Sequence, residues 1–118
     1  MVNHSLTKSQ KREIRRLAGL AHERELARAL EALYAEFTRW RNGEIDVFAL
    51  NEQIHKFHDG ISRDLFKAYC MGNEDLSVGS ALGRNVLPES EVNPQVLPAL
   101  KGSIEFFRKI FEEQKAKE

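Results

Sequence analysis

Glu52 and His55 stand at the Glu-x-x-His spacing with which carboxylate-bridged di-iron bundles hold metal from one helix face. His58 and Asp59 follow directly. On a helix, Glu52, His55 and Asp59 share one flank, and His58 lies at the edge of an apolar face made by Val47, Leu50, Ile54 and Phe57. Carboxylate oxygens and imidazole nitrogens suit zinc or iron, so this segment is the candidate for a metal-binding or hydrolytic role. A di-iron bundle takes a second Glu-x-x-His, and the chain has none; His22 precedes Glu23 in the reversed order. The simpler reading pairs Glu52 with Lys56 and His55 with Asp59 on a solvated helix surface, with His58 hydrogen-bonded at the core boundary. No metal site, no cofactor and no catalytic residue is therefore expected.

Four other patterns could carry chemistry. His58-Asp59 is the dipeptide that names the HD phosphohydrolases, but that fold takes further His and Asp ligands from other helices. Lys8, Lys11, Arg12, Arg15 and Arg16 stand against a single acid, Glu13, within the first sixteen residues. They are the candidate contacts to phosphates, although no recognition helix and no interleaved aromatics accompany them. Positive charge also opposes the dipole at a helix start, which favours acids there. Cys70, the single cysteine, falls at the carboxyl end of a helix, where the dipole disfavours a thiolate, and it reads as packing. Gly72, Gly79 and Gly83 lack the Lys-Ser/Thr and the preceding strand of a phosphate-binding loop.

These residues depend on helices to place them. Residues 8–42 read as one long helix, opened by the Thr7/Gln10 capping box and stopped at Asn42-Gly43. Its apolar residues form two stripes. Ile14, Leu17, Ala18 and Ala21 point one way; Leu26, Ala29, Leu30, Leu33, Phe37 and Trp40 point another, rotated by roughly 120°. A straight helix of this length spans about 52 Å, longer than a compact body of this size. Either it bends near Gly19, or its N-terminal third projects. Trp40, at the end of the second stripe, is expected to be buried.

Asp46 caps a second helix from Val47 to about His58, Asp59-Gly60 interrupts, and Ser62 caps a third that ends at Gly72. Asp75 opens a short helix to about Asn85. A loop tied down by Val86, Leu87 and Val92 then leads to a last helix starting at Pro98. Alternating β-branched runs are absent. The fold class is all-α: a small irregular bundle of four or five helices with a long N-terminal helix, in one domain over 1–118, with residues 1–7 and 114–118 frayed.

The bulk composition sets the outer bounds. In 118 residues, 18 Lys and Arg balance 18 Asp and Glu, which excludes a globally basic nucleic-acid binder. Hydrophobic residues make up 42% and charged residues 31%, as in a folded globular chain rather than a disordered one. One cysteine permits no internal disulfide, and no stretch is apolar enough to span a membrane. The expected location is cytoplasmic.

The stretch from Lys11 to Leu26, KREIRRLAGLAHEREL, and the stretch Ile54 to Gly60 followed by Arg63-Asp64-Leu65-Phe66 resemble a family of short, uncharacterised all-helical bacterial proteins. Some members are carried on mobile integron gene cassettes. The resemblance implies no activity; it implies an accessory role.

The leading functional expectation is a helical protein that binds another protein or itself, most simply as a homodimer. Ile14, Leu17 and Ala21 on the first helix and Phe106 and Ile110 on the last are its candidate interface residues. Nucleic-acid association through residues 8–16 and metal-binding or hydrolytic chemistry at Glu52–Asp59 are the alternatives.

Overall fold

The computed structural model describes residues 6–117, and the protein is all-α. Four helices succeed one another: α1 (Lys8–Arg41), α2 (47–71), α3 (Glu74–Gly83) and α4 (Leu97–Ala116). A single 3-10 turn, Glu89–Glu91, interrupts the connection between α3 and α4.

Local chemistry sets most of the ends. The Thr7 hydroxyl accepts from the Gln10 amide at 3.0 Å, and the Gln10 side chain accepts from the Thr7 amide at 2.9 Å, completing the capping box. α1 stops where Gly43 takes φ +77°, a left-handed conformation that a side chain would strain. Asp46 accepts from the Ala49 amide at 2.8 Å and starts α2. Asn73, not Asp75, caps α3, accepting from the amides of Asp75 and Leu76. α4 begins one residue before Pro98, which occupies its first turn. It continues past Glu113 to Ala116, and Leu6 packs against the core. Residues 1–5 and 118 lie outside the described residues.

Asp59-Gly60 does not break α2. The chain passes through a wide π-helical turn at His58–Ser62, a short α segment at Arg63–Phe66 and a second wide turn at Lys67–Met71. Ser62 makes no capping bond, because helical backbone already runs through it. A wide turn takes an extra residue and rotates the faces of the helix beyond it. Leu65 and Tyr69 thereby join the core behind α1.

The core lies at one end of the molecule. Ile14, Leu17, Ala18 and Ala21 meet Leu65 and Tyr69 of α2, Val78, Ala81 and Leu82 of α3, and Leu100 and Ile104 of α4. Leu87, Val92 and Val96 from the connection close it. α3 and α4 approach closely because Gly79 and Gly83 carry no side chain: a Cβ at Gly79 would sit 2.1 Å from Ser103 Oγ, and one at Gly83 would sit 2.8 Å from the Arg108 amide nitrogen. These glycines serve helix contact.

This arrangement corrects the sequence reading in two respects. Ile14, Leu17 and Ala21 are 2%, 0% and 0% exposed within their own chain, so they are core and not an interface. α1 is unbroken at Gly19, and it is the C-terminal half that projects: none of its residues from 22 onward is buried. The molecule measures 58 × 33 × 25 Å, its long axis comparable to the roughly 51 Å of α1. Trp40 is correspondingly 37% exposed rather than buried.

Candidate functional site

Two features are candidates to meet another molecule: the projecting hairpin and a polar cluster at its base, on the edge of the core. The hairpin consists of the C-terminal half of α1, the turn at 42–46 and the N-terminal half of α2. α2 returns antiparallel along α1, placing Ala29 and Leu33 near Phe57 and Ile61, and Glu36 near Gln53. Leu50 is buried here, apart from the main core. Two helices alone do not cover the apolar residues of the arm. Tyr34 stays 69% exposed and Phe48 79%, with Leu30, Phe37, Val47 and Ile54 also exposed. A groove of about 710 Å³ runs along α1, lined by Leu30, Leu33, Tyr34, Phe37, Trp40 and Arg41. Contiguous apolar surface of this kind marks an interaction site more often than scattered apolar residues do.

The polar cluster joins three helices. Arg84, the residue that caps the C-terminal end of α3, donates to both oxygens of Glu25 on α1, at 2.8 and 3.3 Å, and its Nε donates to Ser80 at 2.9 Å. Tyr69 of α2 donates its hydroxyl hydrogen to Glu25, and Arg84 Nη2 donates to the Tyr69 oxygen at 3.4 Å. Burial pushes the Glu25 carboxyl up, but the bonds from Arg84 and Tyr69 outweigh it and hold the group below its ordinary value. Burial first, and the Glu25 carboxylate second, push the Tyr69 phenol upward. The hydrogen bond to Glu25 raises Arg84 further, so both charges persist across the neutral range. The cluster is a structural clamp with no unsatisfied buried side-chain atom among the described residues.

Beside it, the His22 ring stacks on Tyr69 with centroids 5.5 Å apart, and Cys70 Sγ lies 3.8 Å from His22 Nδ1. Cys70 is exposed, not packed as its sequence position suggests. The second wide turn of α2 turns Tyr69 into the core and leaves its neighbour at the surface.

The remaining sequence candidates separate. Glu52, His55, His58 and Asp59 are all exposed on α2, and neither the Glu52–Lys56 nor the His55–Asp59 pair forms an ion pair. Among the described residues no group of three or more His, Cys, Asp or Glu side chains is placed to hold a metal ion. Lys8, Lys11, Arg12 and Arg15 share an exposed face of α1. Arg16 leaves that set: it bonds Glu13 at 2.8 and 2.9 Å and the Glu91 carbonyl at 3.2 Å, tying the 3-10 turn to α1. Phe106 is exposed on α4, edge-on to Phe107, whereas Ile110 is half-covered. No helix among the described residues is long and apolar enough to cross a membrane.

Neither a family profile, nor a curated protein, nor a solved structure matches the chain.

Proposed function

We infer that the protein acts by self-association, as a small helical accessory protein whose projecting α1/α2 hairpin meets a second copy. The supporting observation is the reversal of burial along α1. The stripe Ile14, Leu17, Ala18, Ala21 is satisfied within the chain, while Leu30, Phe37 and Trp40 face solvent on an arm only two helices thick. A two-helix arm gains stability when a further layer covers its apolar side, and two-fold pairing is the commonest way soluble chains supply one. Light scattering coupled to size exclusion tests this reading. It predicts twice the 13.6 kDa of one chain at high micromolar concentration, and a 13.6 kDa species throughout would refute it.

A second reading, nucleic-acid association, draws on Lys8, Lys11, Arg12 and Arg15, which share one exposed face with no ion pair among the described residues. Four phosphate contacts give a slope of log K against log salt no steeper than about −4. A fluorescence-anisotropy titration at two salt concentrations measures it, and binding unaffected by charge reversal at these positions would exclude this face.

A further inference from the structure

The apolar residues of the hairpin recur at intervals of seven. On α1 the intervals are Leu26–Leu33–Trp40 and Leu30–Phe37; on α2, before its first wide turn, the interval is Val47–Ile54. Leu30, Phe37, Trp40, Val47 and Ile54 are exposed. A seven-residue repeat keeps apolar seams facing each other when helices cross at about 20°, the geometry of coiled coils and four-helix bundles.

The exposed rows open onto the same side of the arm. The less exposed residues Leu26, Ala29, Leu33 and Glu36 mark the side of α1 that faces α2, and Leu30 and Phe37 lie roughly 60–80° onward around the helix. Leu50, Gln53 and Phe57 mark the side of α2 that faces α1, and Val47 and Ile54 lie roughly 70–90° onward in the same sense. In an antiparallel pair of right-handed helices, offsets of one sense fall on one side of the pair. Phe48 points away from this row, half a turn or so from Leu50.

The charge balance of the arm fits a second copy as the occupant. Residues 26–57 carry Arg28, Arg39, Arg41 and Lys56 against Glu31, Glu36, Glu44, Asp46 and Glu52. A surface so nearly neutral does not repel a copy of itself, and it lacks the excess of one sign that would select a charged partner. An antiparallel helix pair with heptad-spaced apolar residues on one side is half of a four-helix bundle, and a two-fold axis supplies the other half with matching spacing.

We propose that the hairpins of two copies pack face to face across a two-fold axis as a four-helix bundle, with Leu30, Phe37, Val47 and Ile54 in the shared seam. This arrangement rests on the self-association reading and specifies its surface. The test is sedimentation equilibrium of the full chain and of four single variants, with helical circular dichroism as the folding control. Phe37→Glu and Ile54→Glu, on different helices but the same side, each raise the dimer dissociation constant at least about thirtyfold, as loss of an interface anchor does. Phe48→Glu and Phe106→Glu change it less than about threefold, as positions outside the seam do. If Ile54→Glu loses helical signal, Val47→Glu replaces it on the same row. A dimer that survives Phe37→Glu and Ile54→Glu overturns the seam but leaves self-association standing. A wild-type chain that is monomeric at every concentration overturns both.

Discussion

Arg84 and Glu25 form a two-point ion pair across 59 residues of chain, with donor–acceptor distances of 2.8 and 3.3 Å. The pair closes the seam where α3 meets α1, and the Tyr69 hydroxyl donates into the same carboxylate from α2. Glu25 and Arg84 are each partly shielded from solvent, so the pair is worth more than an open surface bridge. Arg84→Met removes both guanidinium bonds and leaves a half-buried carboxylate with one donor. It is expected to cost about 1–3 kcal/mol in urea unfolding. Tyr69→Phe, which takes away a single donor, is expected to cost less, and an effect of Arg84→Met below about 0.5 kcal/mol would show that water replaces the clamp.

Acid weakens the fold through the same carboxylate. Glu25 is held below its ordinary value of 4.5, as is Glu13, whose main cause is the hydrogen bond from Arg16. In the acid range the unfolded chain therefore binds more protons than the folded one. The stability these groups contribute is complete above 4.5 and is lost as pH falls below it through their folded values. Denaturation midpoints measured from pH 6 to pH 3 are expected to fall toward the acid end, and to fall less steeply in Glu25→Gln.

The glycines divide into two classes. Gly79→Ala and Gly83→Ala drive a methyl group into Ser103 and into the α4 backbone, and each is expected to cost about 1–3 kcal/mol through overpacking. Gly19 and Gly102 stand in helices with nothing within 4 Å of an added Cβ. Alanine there is expected to add about 0.5–1 kcal/mol by helix propensity alone. Thermal unfolding of the four variants separates the classes by sign.

Trp40→Ala is expected to cost the monomer about 1–3 kcal/mol, less than truncation of a fully buried aromatic, because the side chain is 37% exposed on the arm. Unfolding measured at low and high protein concentration distinguishes this from a core truncation. The loss is larger at high concentration, where a partner copy covers the rest of the residue.

What the sequence made legible was local. Thr7 with Gln10, Asp46, Asn42-Gly43 and Gly72 mark ends through bonds and dihedrals within a few residues, and the structure places ends at each. The two directions of the apolar stripes on α1 were also legible, since rotation per residue is fixed. Which stripe would be covered was not. That depends on α3 and α4 docking behind Ile14 and Leu17, a tertiary fact, and the expectation for Trp40 failed for this reason. The wide turns in α2 have no sequence signature in Asp59-Gly60, which reads as a break. The Glu25 clamp did leave a trace. Glu25 continues the row Ile14, Ala18, Ala21 at helical spacing, and a charge in line with a buried row calls for a partner elsewhere in the chain.

Trp40 is the single tryptophan and it lines the groove along α1, so its fluorescence reports directly on what covers the hairpin. The decisive measurement is its emission maximum tracked on dilution from high micromolar to nanomolar protein, beside the molar mass over the same range. Self-association through the hairpin predicts a red shift of the emission as the mass halves, with one common midpoint. An emission maximum that stays constant while the mass halves would place the interface elsewhere, and a constant emission at a constant 13.6 kDa would contradict self-association itself.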